Sequence, residues 1–232
     1  MHIIRHSLAA ALLATGMNFV VGSSGQAACS DHPGVGVEWS GCRKRSIVLS
    51  ESDLSNAKMR KIDLNGSDLR NATFNKADLS RAQMTRVNAS QASMVETNFS
   101  KVEAGRVKFL RTDLTNANFE KSVFFRGDFK GSTMTGVNMN KTEFSRTDFT
   151  GVDLTDAQIT FSNLARADFR DATLKGADLN SSWTYLTRLE GVDLSETKNI
   201  SDAQLEIACG NSKTILPEGM TAPASWPCSG DE

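Results

Sequence analysis

Few side chains in this sequence have the types and spacing that acid–base, nucleophilic or metal chemistry requires. Only three of the 232 residues are histidines, His2, His6 and His32. Because the first two lie in a leader described below, the rest of the chain cannot build a histidine-based triad or a multi-histidine metal site. Aspartates such as Asp53 and Asp63 recur at equivalent positions of a repeat, and no pair is distinguished by a partner. The sequence therefore predicts a protein that is not an enzyme, with no catalytic residue, metal, cofactor or small-molecule substrate.

The four cysteines lie near the two ends of the chain. Cys29 and Cys42 precede a long segment without cysteine, and Cys209 and Cys228 follow it. This distribution favours two terminal disulfides over a reactive thiol, and such bonds persist in an oxidising compartment. Three pairings of the four cysteines exist, and the local one, Cys29 with Cys42 and Cys209 with Cys228, is the expected one.

Residues 1–28 have the pattern of a cleavable signal peptide. Arg5 supplies a basic start, residues 8–21 are mostly apolar, and residues 25–28 offer small side chains for cleavage near Ala27 or Ala28. The apolar run is shorter than the roughly 20 residues that a membrane-spanning helix needs. An uncleaved anchor is therefore a minor alternative, and so is lipidation of Cys29, because Gln26 stands where a lipoprotein signal has an aliphatic residue. We expect a periplasmic or secreted protein.

A period of five dominates the chain. From residue 49 to residue 194, every fifth position holds a large apolar residue, which we call a centre, except at Ala89, Ala104 and Thr184. These centres comprise twelve Leu, nine Phe, five Met and one Ile. The residue two positions before each of these centres is always Ala, Ser, Thr, Val, Ile or Gly. Side chains two apart face the same way in extended backbone. A period of five fits neither a helix nor a continuous strand, so the chain must turn after each short extended piece and form a solenoid.

These units identify a family resemblance. Residues 77–81 (Ala-Asp-Leu-Ser-Arg), 117–121 (Ala-Asn-Phe-Glu-Lys) and 177–181 (Ala-Asp-Leu-Asn-Ser) resemble the Ala-(Asp/Asn)-Leu-X-X unit of pentapeptide-repeat proteins. The resemblance implies an all-β fold, a right-handed quadrilateral β-helix in which four pentapeptides form one square coil. Coils of 20 residues give about seven and a half coils over residues 48–197, between an N-terminal cap over 29–47 and a C-terminal cap over 198–232.

The C-terminal cap is expected to contain a short helix. Ser201 and Gln204 have the spacing of a capping box, which predicts a helix start, and Gly210 is suited to close that helix. The proline-rich tail beyond it is expected to be extended and turning.

The residue two positions after each centre is expected at a corner of the coil, pointing to solvent. If four units make one coil, corner residues at intervals of 20 stack in columns, and two of the four columns are then basic between residues 61 and 166. Gly66 and Phe161 interrupt them, whereas the other two columns hold only Lys76 and Arg111 as cations. The candidate anion-binding residues are Lys61, Arg81, Lys101, Lys121 and Lys141 in one column and Arg86, Arg106, Arg126, Arg146 and Arg166 in the other.

Inward residues follow the same spacing. Four phenylalanines recur at intervals of 20 and are expected to stack in one inner column about 4.8 Å apart, the usual distance between paired strands: Phe109, Phe129, Phe149 and Phe169. Ala89 and Ala104 mark a thin region, into which the rings of the following coil are expected to lean.

The resemblance implies binding rather than catalysis, because known members of the family bind or organise other molecules. Its best-known activity is mimicry of duplex DNA by an acidic rod that occupies type II topoisomerases. Residues 43–196 instead hold 23 Lys and Arg against 20 Asp and Glu, so they lack the dense negative surface that a DNA mimic needs. The leader would also export the protein away from cytoplasmic topoisomerases. DNA mimicry is therefore a minor alternative, and nucleic acid is not an expected partner.

Two interpretations of the basic columns stay open. In the first interpretation, the cations are explained by solvation alone, because corner positions are exposed and suit long polar side chains. The protein is then a binding protein, a scaffold or a purely structural envelope protein. The other interpretation is a polyanion-binding face, with lipid phosphates or acidic glycans as ligand. The partner is then an unknown protein or an anionic envelope component, and a homodimer is a further option. The repeat is broken at residues 183–185, where Thr184 takes the place of an apolar centre between two aromatic residues, Trp183 and Tyr185. This segment is either a docking site or a kink before the cap. No aromatic platform is expected beside the cations.

Overall fold

The chain winds in square coils, each of which consists of four pentapeptides. The structure, a computed structural model, describes residues 29–228, so the predicted signal peptide at residues 1–28 lies outside the described residues. Along the rod each bridging residue pairs in parallel with the equivalent residue of the next coil, as Glu38 does with Lys58 and Lys58 with Asp78. Each strand is a single bridging residue that lies just before an inward centre. The circuit predicted from the corner columns is confirmed.

Four walls result from this winding. Wall A stacks residues 38–198 at intervals of 20, wall B residues 43–183, wall C residues 48–188, and wall D residues 53–173. Backbone hydrogen bonds join consecutive coils: the Trp39 amide donates to the Lys58 carbonyl at 2.8 Å, and the Lys58 amide donates to the Val37 carbonyl at 2.8 Å. The backbone polar groups of each wall are therefore satisfied by the coils before and after it.

The predicted centres form the core. Every centre from Leu49 to Leu194 is at most 2% exposed. The predicted phenylalanine column is confirmed, with ring centroids 5.0, 5.3 and 4.8 Å apart from Phe109 to Phe169. The rod thus consists of stacked layers of four inward side chains, and its stability depends on the contact between neighbouring layers.

All four corners share one backbone conformation. The corner residues have positive φ, for example 58° at Lys61, 57° at Asn56 and 63° at Glu51. Positive φ is unusual for residues other than glycine, asparagine and aspartate. The turn therefore constrains the backbone equally at each corner and leaves the side chain in solvent.

Stacking begins inside the segment predicted as the N-terminal cap. Glu38 and Arg43 already bridge to the next coil, and Trp39, fully buried, fills the position of an inward centre. Lys44 takes the next centre position, and its Nζ lies 4.2 Å from the centroid of the Trp39 ring. The Cys29–Cys42 disulfide closes this end.

The C-terminal end is covered by a helix and the tail. Helix α1 spans Asp202–Glu206, and Ser201 and Gln204 form the predicted capping box. Ile207 is the C-cap of this helix, so the prediction that Gly210 closes it was wrong. Gly210 instead faces Trp226, where an added Cβ would lie 2.2 Å from the indole ring. The Cys209–Cys228 disulfide holds the tail there, which confirms the local pairing of both cysteine pairs.

Wall D is interrupted before the cap. Asp193 bridges to Ile215 of the tail, and no bridge joins it to Thr173 within the described chain. The Gly176 amide donates to the carbonyl of Glu196, whereas the register of the other corners predicts a bond to the carbonyl of the residue before it. The slip opens a cavity of about 280 Å³ in this wall.

The thin region at Ala104 is filled by aromatic rings. Phe99 and Phe109 project from facing walls of the same coil with centroids 5.9 Å apart, and Phe124 of the next coil lies 6.3 and 6.1 Å from them. We expect Ala104→Leu to overpack this layer and destabilise the rod by about 1 to 3 kcal/mol. Thermal unfolding of the variant measures this, with Met84→Leu one coil earlier in wall B as a volume-conserving control. A neutral Ala104→Leu would show that the rings leave a void.

A candidate anion-binding face

The ten predicted cations lie along the two edges of one wall. All ten are exposed, and their φ values lie between 54° and 60°. The column from Lys61 to Lys141, here the lysine column, follows wall A and precedes wall B; the column from Arg86 to Arg166, here the arginine column, follows wall B. Wall B and these two columns form a surface that we name the basic face.

Corner geometry does not account for the cations. The two corner columns that border wall D have the same positive φ, and nine of their fourteen residues between 51 and 176 are Gly, Asn or Asp, against two cations. These are the residue types that positive φ favours. Lys and Arg in the lysine and arginine columns are therefore selected for something other than the turn.

Most of these cations have no acidic partner. Among residues 29–228, Lys121 alone of the ten lies within 4.0 Å of a carboxylate, that of Glu120 at 2.5 Å. Ten of the fifteen other described cations do have such a partner: Arg45, Lys58, Arg60, Arg70, Lys76, Lys130, Arg170, Lys175, Arg188 and Lys198. The charge of the basic face is thus largely uncompensated by the protein.

The lysine column acts as a unit on the acid beside it. The hydrogen bond from Lys121 and its charge hold the pKa of the Glu120 carboxyl below its usual range, and the charges of Lys141 and Lys101 act in the same direction. Lys141 and Lys101 lie one coil to either side of Lys121. An anion on this edge therefore experiences several cations at once.

Carboxylates on wall B are few and partly engaged. Between residues 63 and 165 its outward positions include Asp63, Glu103 and Glu143. Asp63 accepts a hydrogen bond from Arg45 Nε at 2.6 Å. Glu143 accepts one from the Asn163 amide at 2.7 Å and one from the backbone of residue 145 at 3.0 Å. Three carboxylates against ten cations leave the basic face positive.

Exposed aromatic side chains also lie on this face, although no aromatic platform is expected there from the sequence. Trp183 is 55% and Tyr185 45% exposed on wall B, with rings 6.3 Å apart, and Phe161 continues the lysine column at 59% exposure. Phe125 lies on wall B under Arg126, whose guanidinium is 5.0 Å from the ring centroid. The interval of 20 in the sequence could have placed Trp183 on this face, because it puts Trp183 one coil after residue 163 in wall B.

The Trp183–Tyr185 unit keeps the register of the repeat. Trp183 bridges to Asn163, and Thr184 points inward, fully buried, where its hydroxyl donates to the Gln204 carbonyl at 2.7 Å. Thr184 therefore links the last coil to helix α1, and the aromatic residues on either side of it point outward without a kink.

Residues 29–228 contain no group of three or more His, Cys, Asp and Glu side chains placed to hold a metal ion. In the same part of the chain, no helix has the length and apolar character needed to span a membrane.

Comparison with known proteins gives matches along the repeats. The profile of the pentapeptide repeat region matches residues 103–179, and that of pentapeptide repeats (8 copies) matches residues 47–86 and 82–120. No curated protein matches the chain significantly.

Solved structures also resemble the chain. HetL, a pentapeptide repeat protein involved in heterocyst differentiation regulation from the cyanobacterium Nostoc sp. strain PCC 7120, is 20% identical, with 78% of this chain and 84% of HetL covered and a TM-score of 0.49. A form of QnrB1, a plasmid-mediated fluoroquinolone resistance protein, is 14% identical, with coverage of 75% and 91% and a TM-score of 0.38. A pentapeptide repeat protein of the Arabidopsis thaliana thylakoid lumen is 22% identical, with coverage of 49% and 74% and a TM-score of 0.35.

The matched profiles and the coordinates describe the same units. Together the two profiles extend over residues 47–179, more than half of the chain, and within this range bridges join equivalent residues of consecutive coils on each of the four walls. The chain belongs to the pentapeptide-repeat family.

Proposed function

We propose that this protein is an exported, non-catalytic binding protein whose basic face contacts a polyanion of the cell envelope. The observation that carries the proposal is the placement of ten cations at two of four equivalent corners, nine of them without an acidic partner among residues 29–228. Export is supported by the signal-peptide pattern of residues 1–28 and by two disulfides.

The spacing within a column suits a ligand with repeated negative charge. Coils rise by about 5 Å, so cations in one column repel each other by roughly 0.8 kcal/mol at full water screening. A row of phosphates or sulfates relieves this repulsion along the whole edge. Solvation of corner side chains is the competing explanation, but it predicts cations at all four corners equally. The same columns disfavour DNA mimicry, which requires a dense negative surface.

The central arginines provide the direct test. We expect Arg106→Gln/Arg126→Gln/Arg146→Gln to weaken binding of the oxidised protein to vesicles containing phosphatidylglycerol by about 100-fold, since each basic residue near an anionic surface contributes about 1 kcal/mol. The salt dependence of binding should also become shallower. Co-sedimentation with vesicles over a range of salt concentrations measures both quantities.

A matched variant removes the same charge from the opposite side of the rod. Lys76 and Arg111 lie in the corner columns that border wall D, and Lys175 follows the inward centre Leu174 of that wall. Lys76→Gln/Arg111→Gln/Lys175→Gln should leave binding within about threefold of the wild type. If both triple variants lost binding equally, the effect would depend on the net charge of the protein and not on the basic face. Absence of wild-type binding at low salt, to vesicles and to dextran sulfate alike, would end the proposal.

A further inference from the structure

We infer that the polyanion is an anionic lipid bilayer and that the C-terminal end of the basic face inserts into its interface. This inference rests on the proposed function and specifies its ligand. The inserting group is a cluster that we name the apolar end: Phe161, Trp183, Tyr185 and Leu186.

The apolar end continues the two cation columns. Phe161 occupies the position in the lysine column that follows Lys141, and Leu186 the position in the arginine column that follows Arg166. Both are corner residues with positive φ, 55° and 52°, where a bulky apolar side chain is unfavourable. The segment 183–185 lies on wall B directly before Leu186 and one coil after Phe161. The face is therefore cationic along most of its length and apolar at one end.

The composition of this end matches a membrane interface. Trp and Tyr are enriched at the level of the lipid headgroups, where one part of the ring is apolar and another wet. Basic residues beside them bind anionic headgroups. From residue 163 onwards the outward residues of wall B are Asn163, Ala165, Trp183 and Tyr185, without a carboxylate. Insertion of this end therefore desolvates no acidic group of the wall.

The shape and charge of the face disfavour the other occupants. Phe161 and Leu186 stand on corner ridges, which project from the rod and suit insertion into a soft interface better than enclosure of a sugar ring. A second copy of the chain pairing through the same face would bring two sets of cation columns together, and like charges in contact are unfavourable.

Three serine substitutions separate insertion from simple charge attraction. Phe161→Ser/Trp183→Ser/Tyr185→Ser should lower partition onto phosphatidylglycerol-containing vesicles about tenfold or more, because each side chain loses apolar burial. Its affinity for dextran sulfate, a soluble polyanion, should change by less than about twofold. Val35→Ser/Val48→Ser is the matched control, because these valines are 63% and 70% exposed outside wall B.

Fluorescence locates the inserted residue. Brominated lipids in the vesicles should quench tryptophan emission of the wild type and much less that of Trp183→Phe, since Trp39 is fully buried in the rod and Trp226 packs against Gly210 in the cap. Absence of this difference would overturn the inference. It would also be overturned by unchanged partition of the serine variant, by an equal loss on dextran sulfate, or by a concentration-dependent dimer that the serine variant abolishes.

The inference and the proposed function fail in different ways. If the arginine variant loses binding to both vesicles and dextran sulfate while the serine variant binds normally, the basic face is functional and insertion is wrong. If the wild type binds neither polyanion, both are wrong.

Discussion

Replacement of Phe124 by alanine should lower the free energy of unfolding by about 3 to 5 kcal/mol, the range measured for large aromatic truncations in cores. The Phe124 ring is fully buried and contacts five other rings. The centroid distances are 6.3 Å to Phe99, 6.1 Å to Phe109, 5.2 Å to Phe119, 5.8 Å to Phe129 and 5.5 Å to Phe144. The cavity opens directly above Ala104, which is too small to fill it, so little of the lost packing is recovered.

Phe161→Ala is the matched control for this prediction. It removes the same atoms from a ring that is 59% exposed, at a corner instead of a centre. Its effect on stability should stay within about 0.5 kcal/mol, as for most surface substitutions. Guanidinium denaturation of both variants in the oxidised state gives the comparison. Similar losses in the two variants would mean that the aromatic layers contribute far less than their burial implies.

The interior of the rod could be predicted from the sequence because two independent size limits act on it. A centre such as Phe124 must be large and the position two before it small, since both project into a space bounded by four walls. The extreme case is Gly127, where an added Cβ would lie 2.8 Å from the Phe129 ring. Such constraints recur in every pentapeptide and leave a pattern that survives in each unit.

The outer surface and the ends were harder to predict because neither obeys that pattern. Outward positions accept any residue, so the sequence marks Trp183 and Tyr185 as unusual without placing them beside the arginine column. Gly210 carries a local signal for helix closure, yet its role is set by Trp226, which lies in the tail and far outside the helix. Wall D is interrupted between Thr173 and Asp193, while Asp193 still pairs with Ile215 of the tail on its other side, and the period of five continues through both residues.

Loss of the C-terminal disulfide should destabilise the end of the rod more than the chain-entropy effect alone. In Cys209→Ser/Cys228→Ser, removal of a crosslink between residues 19 apart in the sequence costs about 3 kcal/mol in the loop-closure model. The same crosslink holds Trp226 over Gly210, where its indole donates to the Ala208 carbonyl at 2.8 Å. Release of the tail therefore also weakens the cover of the last coil.

The consequence for the last coil follows from how the cap is attached. The Gln204 side chain donates to the Leu179 carbonyl at 2.8 Å and to the Ser182 carbonyl at 3.0 Å, and α1 thus satisfies backbone groups that no further coil reaches. Once α1 is loosened, the Ser182 carbonyl loses this partner, whereas the Leu179 carbonyl keeps the Ser182 amide at 3.1 Å. An unpaired edge in β structure promotes association between chains. We expect faster amide exchange over residues 174–194 and increased aggregation on heating.

Hydrogen exchange followed by mass spectrometry distinguishes a local from a global effect. Cys29→Ser/Cys42→Ser removes a crosslink of similar length, with a sequence separation of 13, at the other end of the rod. It should accelerate exchange near Trp39 and leave residues 174–194 protected, because in a stacked repeat each coil depends mainly on its neighbours. If both double variants exposed the same segment, the rod would unfold as one cooperative unit, and capping would act on the whole core and not on the coil that it covers.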